Sequence, residues 1–281
     1  MTNVPGEDAS RSLPNPLDLI DSLGNRALQI VSHTGVVVLL VIAAARWVYS
    51  GCVGSKRIGR AAIVSQIVRI GVRSIFIVSL VSASVGIILA LNMAPPLDQF
   101  GSKELVANII GVSVLRELGP LMAAIVLTGF AGAAIAAEIG TMVVREEIEA
   151  LEVMALDPVH FLVVPRLVAS ILSMISLAVI SNIVAVGGAM IVSRLVLGIP
   201  IDTFWMNMLS QLKSVDFWTG MTKAAIFGML IGAIACANGL RTSGGAAGVG
   251  KATTSTVVQC IVSIIIADTI FTAIFFIFDL N

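Results

Sequence analysis

The chain has 281 residues, of which 57% are hydrophobic and 12% charged, and its mean hydropathy is +1.02. Soluble domains carry about 25% charged residues, so this balance describes a polytopic membrane protein. Basic and acidic side chains number 17 each, which leaves no basic excess for a nucleic-acid surface.

The opening stretch, MTNVPGEDASRSLPNP, is polar and proline-rich. It lacks the basic-then-apolar order of a signal peptide, and residues 1–15 are expected to be a disordered tail. Residues 16–60 follow as interfacial helices. LDLIDSLGNRALQIV alternates apolar and charged residues at helical spacing, and the apolar run 27–45 ends on Arg46, Trp47 and Tyr49. That mixture suits a helix lying in the membrane interface, although the run is apolar enough to span.

Residues 61–281 form the membrane domain. Apolar runs long enough to cross a bilayer predict an all-α fold with five spans, at about 72–96, 106–137, 163–194, 217–240 and 254–278. Lys56, Arg57, Arg60, Arg69 and Arg73 cluster before the first span, and that side is expected to be cytoplasmic. Alternation then places 138–165 and 241–252 inside, 93–104 and 195–216 outside, the N-terminus inside and the C-terminus outside.

Within the spans, Thr128, Gly132, Ala136 and Gly140 recur every four residues, as do Gly228, Gly232 and Cys236. Such small-residue faces let helices approach closely, within one chain or across a dimer. Intramembrane charge is costly and therefore informative. Arg116 and Glu117 open the second span in SVLRELGP, and Glu138 closes it. As helix neighbours, Arg116 and Glu117 point about 100° apart. Pro120 loosens their turn by freeing a backbone carbonyl. They either snorkel to the outer interface or line a polar cavity. Asp268 sits mid-span in IIIADTIFTAIFF and is expected to make a helix-to-helix hydrogen bond.

Between the second and third spans lies VVREEIEALEVMALDP. As one helix over 143–156 it would carry Val144, Ile148, Leu151 and Ala155 on a single stripe, with Glu146, Glu147, Glu149 and Glu152 off it. Asp157-Pro158 then caps the next helix. This amphipathic segment is either a solvated connector or a docking knob for a cytoplasmic partner. Further on, Gly245, Gly250 and Lys251 satisfy GxxxxGK, but Ala252 stands where a phosphate loop needs Ser or Thr. A flexible or packing loop is expected there. Cys52, Cys236 and Cys260 are far apart and read as apolar packing residues. His33 and His160 have no neighbours at metal spacing.

LRELGP, AAEIGTM, EEIEALEVMALDP, VVPRLVA and KATTSTVV occur in this order over Leu115–Val258. In them the chain closely resembles the MlaE/YrbE permease family, the membrane subunits of Mce-associated ABC lipid transporters. The resemblance implies a homodimer with five spans and an N-terminal membrane-embedded elbow helix. It also implies a bacterial inner-membrane location and transport of phospholipid or a related lipid between membranes. The partners implied are a cytoplasmic ATPase and an external MCE-domain lipid-binding protein. The chain is then no enzyme and needs no cofactor of its own, ATP and magnesium being bound by the ATPase. By position, Leu91, Asn92, Arg116, Glu117 and Leu118 are candidates for a lipid cavity at the dimer interface. Glu146, Glu147, Ile148, Glu149, Leu151, Glu152 and Met154 correspond to the coupling helix that enters the ATPase groove. The chain departs from the family at Asn92 and Ala94, where Gln and an aromatic are common, and at Phe130, where Arg is common. The alternative reading, a secondary transporter or channel, calls for more intramembrane carboxylates or paired broken helices. An intramembrane enzyme ranks last, because no HExxH or GxSxG motif is present.

Overall fold

Inside a bilayer every backbone N–H and C=O must find its partner within the protein, which leaves apolar segments only the helix or the closed barrel. The computed structural model is helical, with no strand among the described residues. Those residues are 60–278, 34–47, Gly24, Ser32 and Tyr49. The tail 1–15, Cys52, His33, Lys56 and Arg57 lie outside them. The chain forms two units, Met1–Leu39 and Leu40–Asn281, and the second contains every helix of membrane-spanning length.

After the short apolar helix α1 (Thr34–Trp47), five helical stretches are long and apolar enough to cross a membrane. The first joins α2 (Arg60–Ile70) to α3 (Ile75–Gln99) through a tight turn at Val72–Ser74. The second strings α4 (Val106–Ser113), α5 (Gly119–Leu127) and α6 (Ala133–Val144) together through two π-helical segments, Val114–Leu118 and Thr128–Gly132. A short helix α7 (Glu147–Val153) precedes the third, in which a π segment Val159–Val163 leads into α8 (Val164–Val196). After α9 (Ile201–Gln211), α10 (Ser214–Leu240) and α11 (Gly245–Ile277) complete the bundle. The helices run past the charge-free stretches that mark them in sequence.

Small residues decide how the helices meet. On α3, Val78, Ser82, Gly86, Ala90 and Ala94 are buried in a row, facing Ser181, Ala185 and Ala189 of α8. A Cβ on Gly86 would run into the Ala185 carbonyl, so only glycine permits this approach. Ser82 donates to Ser181 (2.7 Å), which donates to the Gly119 carbonyl of α5 (3.0 Å). Ile110 of α4, Val114 of the π segment after it, and Phe204 and Met208 of α9 close the same core. The two faces noted in the sequence are also internal. Gly132 packs toward Ile231 and Thr256, Gly140 toward Thr242, and Gly228 and Gly232 toward Ser170 of α8. Cys236 and Cys260 are buried and free. Asn238 of α10 donates to Thr256 and Gln259 of α11, at 2.9 and 2.8 Å.

Two expectations are corrected. Residues 143–156 are not one helix. Glu146 takes a left-handed conformation (φ 59°), Ala155 does the same (φ 58°), and only Glu147–Val153 is helical between them. Val144 therefore ends α6 and Ala155 lies beyond α7, so the four-residue stripe breaks up and leaves Ile148 and Leu151 half-buried. The GxxxxGK stretch is not a loop either. Gly244 (φ 85°) turns the chain and Gly245–Lys251 form the first turns of α11.

Candidate functional site

Pro120 has no N–H to donate, and the chain absorbs the defect as a π turn in which the Gly119 amide bonds the Val114 carbonyl. That turn carries Arg116 and Glu117 toward α10. Their divergence gives each its own partner. Arg116 pairs with Asp216 at 3.5 Å, and Glu117 forms a short ion pair with Lys223.

Lys223 is the centre of the cluster. It is 0% exposed, and its Nζ donates to Glu117, to Asp268 Oδ1 (2.9 Å) and to Thr272 Oγ1 (2.9 Å). The Thr272 hydroxyl has one proton, shared between Glu117 Oε1 (3.1 Å) and the Asp268 carbonyl (2.9 Å). The Phe275 ring lies 5.9 Å from the ammonium. Taking an ion pair out of water costs several kcal/mol per ion unless each charge is satisfied, and here all three donor positions of the ammonium are used. One ammonium faces two carboxylates, so the cluster carries one negative charge in excess. Asp268 thus does bond across helices, with a cation as its partner.

A second cluster lies at the opposite ends of α6 and α8. Glu138 Oε1 accepts from Arg69 Nη1 of α2 (2.7 Å) and from Arg166 Nη2 of α8 (3.1 Å). Arg166 Nη1 also donates to the Leu162 carbonyl (2.9 Å). Next to it stands α7, with Arg145 3.8 Å from Glu147. Glu149 and Glu152 are exposed, and so are Val153 (88%) and Met154 (61%). Beyond α7, Asp157 Oδ1 accepts the Val159 amide (2.9 Å), the expected helix cap, and its Oδ2 accepts from Trp47 Nε1 (3.1 Å). Trp47 stacks on His160 with ring centres 4.4 Å apart.

The remaining candidates fall in separate places within one chain. Leu91 and Asn92 are exposed on α3, where Asn92 Nδ2 donates to the Ile88 carbonyl of its own helix (2.9 Å). Leu118 lines a tight crevice with Val85 and Ala185. Arg116 and Glu117 face α10. Phe130 is exposed and Ala94 buried. Lys223, Asp216, Arg69 and Arg166 were missed as partners. Lys223 falls within the span expected over 217–240, but nothing in its spacing marks Glu117 or Asp268 as its partners.

Five apolar helices, packed through small residues around two ion clusters, define a multi-pass helical membrane protein. The family model described as Permease MlaE matches residues 63–274, and the chain belongs to the MlaE permease family. Among its relatives, a probable ABC transporter permease protein of Rickettsia bellii is 32% identical over 92% of this chain and 98% of its own. The intermembrane phospholipid transport system permease protein MlaE of Haemophilus influenzae is 33% identical over 76% of this chain and 82% of its own. TRIGALACTOSYLDIACYLGLYCEROL 1 of Arabidopsis thaliana is 34% identical over 75% and 60% respectively. The chain is accordingly a membrane permease.

Proposed function

We propose that this permease is the membrane subunit of an ABC transporter that moves phospholipid between membranes, powered by a separate ATPase that docks on α7. In this reading two copies associate in a bacterial inner membrane, and an MCE-domain protein receives or supplies lipid outside. The observation that carries the docking is the α7 tip. A seven-residue helix held by left-handed turns at both ends presents exposed Val153 and Met154 among Glu147, Glu149 and Glu152. Apolar anchors rimmed by charge are the chemistry of a partner groove. The phospholipid substrate and the ATP-driven mechanism are supported by the names of the Haemophilus and Rickettsia relatives. Pairing of two copies is supported by α11, whose apolar residues are largely exposed in the single chain while those of α10 are largely buried. In the dimer, Leu91, Asn92 and Leu118 line the lipid cavity together with the Arg116–Glu117 turn.

A secondary transporter is the second reading, favoured by the Glu117–Lys223–Asp268 cluster with its unbalanced charge. One experiment separates the two. The permease is co-expressed with a candidate ATPase, purified and reconstituted with phospholipid. A stable complex with lipid-stimulated ATP hydrolysis is expected. A permease that moves lipid with no ATPase bound sinks the first reading.

A further inference from the structure

Beside the Glu138 cluster a groove of about 620 Å³ opens between α2, α6, α7 and α8. Its charged walls are Arg69, Arg145 and Arg166 against Glu138 and Glu147, one positive charge in excess. Arg166 is the built element. Its side chain is 6% exposed, and its Nε is buried with no hydrogen-bond partner among the described residues. A buried guanidinium N–H without an acceptor costs free energy comparable to a lost charged hydrogen bond. One N–H on each of the two Nη atoms of Arg166 is used, on Leu162 and Glu138, so the guanidinium, which lines the groove, keeps donors to spare among its five N–H groups.

The groove is also graded along α6. Its wall begins with Ala134, passes Glu138 and Met142, and ends with Arg145, apolar at one end and cationic at the other. The span Val106–Val144 has 39 residues. At 1.5 Å per residue it is about 58 Å long, well beyond the ~30 Å hydrocarbon core, so it overruns that core at one end or both. Glu138 lies about 9 Å before the end of α6 by the same rise, close to the charged end of the span.

We propose that this groove binds the phosphate group of a lipid, with Arg69 and Arg166 as its ligands, Arg145 at the mouth and the acyl chains leaving past Ala134. Arginine's planar fork matches phosphate oxygens, and the apolar end accepts a chain that a free anion lacks. The site lies at the end of the bundle opposite the Lys223 cluster, next to α7. A lipid held there touches both helices that flank the docking segment. The proposal rests on the lipid-transport reading only for the source of the phosphate.

The test uses the full chain in detergent and a phosphatidylglycerol bearing a diazirine on its acyl chain. After photolysis, the label is mapped by mass spectrometry. Saturable labelling within 133–144 is expected, displaced by unlabelled phosphatidylglycerol. Diacylglycerol with the same chains should displace it at least about tenfold more weakly, the loss expected for one charge-assisted contact set. Arg69→Gln should weaken phosphatidylglycerol about tenfold, and Arg145→Gln, at the exposed mouth, by a smaller factor. Arg166→Lys keeps the charge and removes the fork, so it should weaken binding while circular dichroism stays unchanged. Equal displacement by diacylglycerol, or unchanged affinity in a folded Arg69→Gln protein, overturns the proposal. Displacement by millimolar inorganic phosphate alone assigns the groove to a free anion and overturns the lipid. Binding is read without ATPase or transport, so a failure of the transporter reading with labelling intact is a distinct result.

Discussion

Truncating the α7 tip should weaken docking of the proposed ATPase while leaving the bundle intact. Val153 and Met154 are 88% and 61% exposed, so neither supports the fold. Val→Ala deletes two methyl groups, about 1.6 kcal/mol at ~0.8 kcal/mol per buried carbon, and Met→Ala deletes three heavy atoms, about 2.4 kcal/mol. Scaled by the exposed share that a partner could cover, the two losses sum to about 3 kcal/mol, an upper bound of about a hundredfold in affinity. Partial burial in the complex lowers this toward about tenfold. By contrast, Leu151 is half-buried against its own chain, so Leu151→Ala should cost stability as well as affinity. The assay is titration of purified ATPase onto wild-type and Val153→Ala/Met154→Ala permease, with thermal midpoints measured in parallel. Unchanged affinity in the folded double variant would refute the docking argument. Reversing charge at Glu149 and Glu152 should instead slow association and alter its salt dependence, since exposed rim charges steer more than they hold.

The charge count of the membrane cluster makes an asymmetric forecast: Asp268→Asn leaves Lys223 paired with Glu117 and should cost under about 1 kcal/mol, whereas Lys223→Met strands two partly buried carboxylates and should cost more, roughly 2–3 kcal/mol. Thermal unfolding in detergent reads both, and the reverse order would refute the count. Gly86→Val drives side-chain atoms into the Ala185 backbone and should cost about 3 kcal/mol or more, seen as loss of the monodisperse species in size-exclusion chromatography. Ala155→Gly removes the penalty of a left-handed alanine (φ 58°) and should stabilise by about 1 kcal/mol; a lower thermal midpoint would show that the turn is not strained.

Helical spans were legible in the residues because lipid enforces one local rule. A long apolar run must satisfy its backbone internally, so runs as long as 163–194 and 254–278 read as helix, whereas the Gly-rich 245–251 stretch did not. The small-residue faces were equally legible, since closeness requires glycine, alanine or serine whatever the partner. Pro120 announced its disturbed turn, because a missing N–H acts within one turn of the chain. Partner choice was another matter. Lys223 is separated from Glu117 and Asp268 by 106 and 45 positions, and no periodicity links residues on three different helices. The same holds for Arg69, Glu138 and Arg166. Helical spacing also promised a continuous stripe from Val144 to Ala155, but left-handed turns at Glu146 and Ala155 cut it, a choice made where two spans must be joined at a sharp angle. Local chemistry therefore determined which segments became helices and which faces could meet. Only the tertiary packing decided which charges met inside them, because burying an ion is tolerable only where another helix supplies its counter-ion.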